Sequence, residues 1–276
     1  SDHGVPTDED PTWNYADRYK VSDVPEGHDY YIEAGARTAN LHYHREPRFY
    51  ADLGFDRGKW LCGEGSYDQN AFTVRCKAEE TAGMVLQNYN ITGYFAKKLV
   101  PYKFVFSQYN NNAGECAYSF PIIRLADLYL MYAEAQNECL DVPDASVYLY
   151  VQAVRDRAGL DRDTDGDLVK TWERYSTNPT KPKTQTGMRE IIRRERLIEL
   201  VLEGHRFYDL RRWKACMTEL NQPIRGWNVT GKEEMDYYNV VTLFLQKFTP
   251  RDYFWPIKIN DLYVNRNLIQ NPMWEK

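Results

Sequence analysis

Hydrophobic positions along the chain change rhythm near residue 120. Before it they come in short aromatic runs, HDYYIEAG, PRFYADLGF and YKFVFSQY, separated by Gly, Pro and Asn. That punctuation predicts loops, short strands and short helices. Beyond it, PIIRLADLYLMYAEAQNECL sets Leu125, Leu128, Tyr132 and Ala135 at spacings of three and four, which predicts a helix with that stripe buried. Asp144 stands where it would cap a second helix, whose stripe is Val147, Val151, Val154 and Ala158, and Gly159 supplies a left-handed stop. With so few residues between them, the two predict an antiparallel hairpin over 122–158.

Residues 160–186 are a polar excursion rich in Asp, Thr, Pro and Lys, longer than most connections in a compact domain. REIIRRERLIELVLEG, running to Gly204, and HRFYDLRRWKACM then predict a second hairpin over 187–215. YYNVVTLFLQKF alternates as a strand does, and a Pro- and Asn-rich tail follows. Two hairpins with an insertion have the form of a tetratricopeptide-like array, but about three repeats are needed to bury one another's faces. The expectation is a mostly α protein, an α-α superhelix with long loop-rich decorations that is incomplete in this chain, with further helices upstream of Ser1 and poor stability for these two hairpins alone. Two regions are expected: 1–120, loop-rich, aromatic-rich and ligand-facing, and 121–276, helical with a C-terminal tail.

Composition narrows the classes. Over 276 residues, 43% are hydrophobic and 27% charged, a globular balance and not a disordered one. No uncharged apolar run approaches the roughly 18 residues of a membrane-spanning helix. Net charge is −5, with 35 basic residues scattered among 40 acidic ones, so no basic face for nucleic acid is expected. The five cysteines, Cys62, Cys76, Cys116, Cys139 and Cys216, form no CxxC pair and so no zinc set. Cys62 and Cys76 flank a turn-rich stretch and would either bridge in an oxidising compartment or stay two half-buried thiols; their spacing leaves both open. The opening SDHGVPTDEDPTWNY has no basic n-region, apolar h-region or lipid-accepting cysteine.

Five blocks in order resemble one family. RLADLYLMYAEAQNE (Arg124–Glu138), AVRDRAGL (Ala153–Leu160), RERLIELVLEGHRFYDLRRW (Arg194–Trp213) and the ending WPIKINDLYVNRNLIQNPMW are similar to blocks of the SusD/RagB family of outer-membrane nutrient-binding lipoproteins. REPRFYADLGFDRGKW (Arg45–Trp60) resembles the family's Arg-Asp-Pro-Arg segment, with Glu46 in the Asp place. In that family these blocks form the C-terminal half; the lipid-anchoring cysteine and two further helical repeats belong to an N-terminal half. The resemblance implies a binding protein, not an enzyme, on the extracellular face of the bacterial outer membrane. It would hand an oligosaccharide to a SusC-like TonB-dependent transporter and touch the membrane only through a lipid anchor outside this chain. A peptide receptor of the same fold and a helical-scaffold glycoside hydrolase are the alternatives.

Glu195, Glu199 and Glu203 share one helix face, as metal ligands or an acid/base pair would, yet Arg193, Arg194, Arg196, Arg206, Arg211 and Arg212 surround them. Ion pairing that locks the hairpin is the simpler reading. No cofactor is required by any motif. DRDTDGD places Asp161, Asp163, Asp165 and Asp167 as in the first half of a calcium loop, but position twelve is Trp172 and Glu173 comes one place late. A solvated acidic turn and a weak structural calcium site both remain open. The triplets at Asn90 and Asn228 match glycosylation acceptors, a coincidence in a bacterial surface protein. No Ser-His-Asp elbow, phosphate loop, HExxH or dinucleotide fingerprint occurs.

Aromatic residues reach 14%, and sugar recognition uses flat rings together with planar polar groups. The segment from Trp13 to Tyr67 offers both, with Trp13, Tyr15, Arg18, Tyr30, Tyr31, Trp60 and Tyr67 as candidates. Trp60, Trp13 and Tyr31 are the foremost: Trp60 follows Gly58 and Lys59 in a turn, where a large ring has few sequence neighbours to bury it. Its truncation is therefore expected to spare the melting temperature.

Overall fold

The computed structural model of the chain describes residues 1–61, 71–84, 90–101, 104 and 119–274. Strand β1 (Val21–Asp23) pairs antiparallel with β2 (Arg37–Ala39), Ser22 opposite Thr38. Helix α1 (Pro47–Asp52) opens on a proline, whose missing N–H is no loss at a first helical position. Strands β3 (Leu53–Phe55), β4 (Lys59–Leu61), β5 (Ala71–Thr73) and β6 (Tyr94–Ala96) then pair as β3 with β6 and β4 with β5.

The rings expected from the composition fill two clusters. One holds Ile32, Tyr43, Tyr50 and Phe55. The other holds Ala39, Trp60, Val74 and Cys76 and is completed by Trp227, Tyr237 and Tyr238 from far along the chain. At Gly93 (φ +80°) an added Cβ would stand 2.7 Å from the Tyr237 hydroxyl and 2.8 Å from the Trp227 ring, so the backbone passes these rings without room for a side chain. His42 is fully buried, with Nδ1 2.7 Å from Thr38 Oγ1 and Nε2 2.9 Å from the Tyr94 hydroxyl. Burial lowers its pKa to about 3, so the ring is neutral in the core. Cys76 is a free, buried thiol pushed up to about 12 by burial and the nearby Asp56; Cys62, its proposed partner, lies outside the described residues.

Helices α2 (Leu125–Cys139) and α3 (Ala145–Arg157) form the expected hairpin. Asp144 caps α3 by accepting from the Ser146 N–H, and Val147, Val151, Val154 and Ala158 are buried as their spacing predicts. Helix α2 corrects its reading. Leu125, Leu128 and Tyr132 are 60%, 48% and 46% exposed and Ala135 is exposed too, while Asp127, Leu130, Ala133, Glu134 and Asn137 face inward. The buried face is mixed: Leu130 and Ala133 enter the main core, and the polar side chains beside them have partners there, Arg196 donating to Asp127, Arg212 and Trp213 to Glu134, and Asn137 to the Gln185 carbonyl.

The polar excursion is no loop. It carries α4 (Leu168–Tyr175), whose first N–H groups donate to the Asp167 carboxylate and whose Leu168 and Trp172 enter the main helical core. Thr184 caps α5 (Gln185–Glu199), which packs along α2. This helix stops at Glu199, and Gly204 (φ +84°) leads through a turn into α6 (His205–Arg212). Arg196 forks onto Asp209 at 3.1 and 3.2 Å, tying α5 to α6. Helix α7 (Cys216–Glu219) precedes β7 (Pro223–Trp227), α8 (Glu234–Tyr237), β8 (Val240–Leu245) and α9 (Ile259–Val264). The predicted strand is β8, paired antiparallel with β7 across a bulge at Ile224/Arg225. No helix among the described residues is long and apolar enough to cross a membrane.

Candidate functional site

The acidic stripe of α5 is one half of a buried ion network. Arg48, at the second position of α1, forks onto Glu46 at 2.8 and 3.0 Å and donates to Glu195 at 2.6 Å and Glu199 at 3.2 Å. Arg124 donates to Glu199 and, through two nitrogens, to Glu203; Arg157 pairs with Glu199, and Lys98 with Glu203. Glu195 and Glu199 side chains are only 4% and 2% exposed. Every one of the three carboxylates is taken up by cations, which leaves none as a free acid/base or metal ligand. Ion pairing is thus the right reading, but the guanidiniums come from α1, α3 and the segment before α2, not from the hairpin itself. Within the hairpin, Arg193 and Arg212 lie over Trp213, Arg211 over Phe207, and Arg206 pairs with Glu219.

The calcium-loop acids point apart. Asp161 accepts Arg155 at both oxygens, 2.6 Å each, and also Thr171 and Gln152. Although burial pushes its pKa up, these donors hold the carboxyl below its ordinary value. Asp167 caps α4, Asp163 accepts from Tyr175, and Asp165 sits in a left-handed backbone turn (φ +58°). The four carboxylates do not converge on one point. Among the described residues, the group with metal-ligand spacing is instead Asp2, His3 and Asp10, where Asp10 already accepts from Thr12.

The aromatic candidates divide. Trp13 is buried, its Nε1 donating to the Tyr43 carbonyl at 3.2 Å. Trp60 is only 8% exposed; it sits in the cluster with Ala39 and Trp227, its ring against Gly54. The turn around it does leave it few sequence neighbours, but strand pairing to Phe72 and the distant residues 227–238 cover it. Tyr31 is half-buried, stacked on Tyr50 at 4.1 Å with Tyr30 at its edge. Tyr67 lies outside the described residues.

Tyr15, Arg18 and Tyr30 remain on the surface, Tyr15 and Tyr30 at 43% and 49% exposed. The Arg18 guanidinium lies 4.0 Å over the Tyr15 ring and 4.4 Å over Tyr19, and donates to the Tyr15 carbonyl at 2.7 Å. Stacking of this kind stiffens a long side chain and holds its planar donors beside two flat rings. Asn14, Asp17 and Lys20 hydrogen-bond or pair along the same turn. The result is a surface cluster of two partly exposed rings, each with the guanidinium over one face and amide and carboxylate groups nearby, a chemistry suited to sugar rings and hydroxyls. Tyr19, 37% exposed, is the member missed from sequence; its signal was the three- and four-residue spacing Tyr15, Arg18, Tyr19. Trp255 and Tyr263, 73% and 75% exposed in the tail, were also missed.

The SusD family model matches residues 3–274. The chain belongs to the SusD family. Among curated relatives, SusD-like protein P25 of Formosa agariphila is 42% identical over 92 residues, 33% of this chain and 15% of that relative. Among solved structures, the protein BT4246 superposes with a TM-score of 0.77 at 23% identity over 99% of this chain and 43% of its own. A SusD-like carbohydrate binding protein of Bacteroides fragilis follows at TM-score 0.53 and 22% identity, covering 88% of this chain and 47% of that one. The chain therefore spans less than half the length of the relatives it matches. The helix-rich, tetratricopeptide-like architecture is that of this SusD-like group.

Proposed function

We propose that this SusD-family protein is a non-catalytic glycan receptor of the bacterial cell surface, which captures an oligosaccharide and passes it to a TonB-dependent SusC-like transporter of the outer membrane. The observation that carries the reading is the Tyr15–Arg18–Tyr19 surface cluster, set in a family with a carbohydrate-binding structural neighbour. Binding without turnover is supported by the carboxylates of α5, the best acid/base candidates, being closed on arginines. Membrane attachment would rest on a lipid anchor outside this chain.

Isothermal titration against a panel of neutral and acidic oligosaccharides, with product analysis on the same samples, tests the proposal. Saturable binding without products, weakened several-fold by Tyr15→Ala, is the expected outcome. Released products would make the protein a hydrolase, and binding to peptides alone would make it a peptide receptor.

A further inference from the structure

Between α1, the segment 4–7 and the outer side of α5 lies a cavity of about 330 Å³, at the small end of ligand pockets and suited to one sugar ring. Most of its charges are spoken for. Arg48, Glu46 and Glu195 close on one another, Arg155 is held by Asp161, and Lys181 bridges Glu9 and Glu190. Two guanidiniums are left over. Among the described residues Arg45 has no carboxylate partner: it lies 4.6 Å over the Phe49 ring, donates to the Leu41 carbonyl at 3.3 Å, and its Nε is buried with no acceptor there. Arg194, exposed at the rim, makes no hydrogen bond or ion pair among the described residues.

Glu46 offsets Arg45 only in part because it is closed on Arg48, and Asp52 on the same wall is half-buried beside Lys98 at 3.9 Å, where burial raises its pKa to about 6. Burial, with the Arg194 charge adding to it, depresses Arg45 below its usual value against the opposing pull of Tyr94, Tyr50 and Glu46. Two cations that repel each other across a cavity, one with an unanswered N–H, lack an anion. Apolar Leu197, Ile198 and Val201 and the Phe49 ring line the remainder. A guanidinium fork takes a carboxylate through two parallel hydrogen bonds, and the apolar wall accepts the C–H face of a pyranose.

We infer that the cavity between α1 and α5 binds the carboxylate of an acidic sugar, a uronate, through Arg45 and Arg194 with Leu197, Ile198 and Val201 against the ring. Only the choice of a sugar as carrier of the carboxylate rests on the glycan-receptor reading; the anion preference stands on the cavity itself.

Nuclear magnetic resonance titration of the protein with D-glucuronate, methyl glucoside and N-acetylalanine tests it. Glucuronate should bind at least ten-fold more tightly than methyl glucoside, with Arg194→Gln weakening it several-fold at an unchanged melting temperature and Arg45→Met abolishing it. Arg194 is exposed, so its variant keeps the test valid should Arg45→Met fail to fold. No glucuronate response, or an equal response in Arg194→Gln, overturns the inference, and N-acetylalanine binding as well as glucuronate overturns the assignment to a sugar. Oligosaccharide binding lost in Tyr15→Ala without any glucuronate response would leave the surface cluster standing and sink the cavity. A glucuronate response with no binding to the glycan panel would do the reverse.

Discussion

The helical region from α2 to α6 and the aromatic region before residue 100 both bury polar groups, but of opposite kinds. The first closes on full charges: Glu195 and Glu199 with Arg48, Arg124, Arg155 and Arg157, and Arg196 with Asp127 and Asp209. The second, outside Arg48–Glu46 and Asp56 with Arg57, closes on neutral donors and acceptors, the Tyr43 hydroxyl on the Ser22 carbonyl, Tyr50 on the His42 carbonyl and His42 between Thr38 and Tyr94. Charge pairs punish the loss of one partner, because the other stays buried and unanswered. Aromatic clusters punish the loss of volume, because the rings around a void cannot collapse into it. Each region therefore has its own most damaging substitution.

The largest expected effect is Glu199→Ala, which takes one carboxylate from each of Arg48, Arg124 and Arg157 at the centre of the buried network and should lower unfolding free energy by about 4 kcal/mol; a loss below about 1 kcal/mol in urea denaturation would erase the contrast between the regions. Trp60→Ala follows at about 3 kcal/mol, read in the same way. An unchanged melting temperature there would return the ring to the surface.

Asp52 sharpens the comparison through pH, since it lies where α1 meets the charged network. Its carboxyl binds a proton more tightly folded, at about 6 against an ordinary 3.8. The stability this confers is complete below about pH 4 and lost as pH rises through 6. Asp52→Asn should thus gain about 2 kcal/mol at pH 7.5, discounted for partial exposure, and nothing at pH 4. A gain that does not vary with pH would assign the effect to something other than ionisation. The smallest change belongs to Tyr15→Ala, which should move stability by under about 0.5 kcal/mol while weakening oligosaccharide binding several-fold in calorimetry.

The same contrast explains what could be read from the sequence. Helix α3 was legible to the residue, cap, stripe and stop, because its buried face is apolar and its cap is local. In α2 the apolar stripe was visible, yet it faces outward, since the inward side is chosen by Arg196 and Arg212, roughly seventy-five residues away. Helix α4 was hidden by the polar residues around Asp167, although that cap and the Leu168–Trp172 spacing were in view. The acid stripe of α5 announced ion pairs but not their partners, because Arg48 stands 147 residues from Glu195. Among the aromatics, composition told nothing of burial: Trp13 and Trp60 were taken into the core by residues distant in sequence, while Tyr15, one step beyond Trp13 and its neighbour, stayed outside.

Asp56 carries a consequence for the order in which the protein is made. Its carboxylate is fully buried, with one oxygen accepting from the Cys76 N–H at 2.8 Å and the other from the Tyr238 hydroxyl at 2.6 Å, 182 residues later. Trp227 and Tyr237 enter the same cluster from that late segment. On a ribosome, the first hundred residues emerge with their own core unfinished. At about 5 to 20 residues per second, roughly 10 to 35 s of elongation separate Asp56 from the hydroxyl that answers it. Through that interval the Trp60 cluster lacks its cover, so the nascent chain offers chaperones an aromatic surface that the finished molecule does not have.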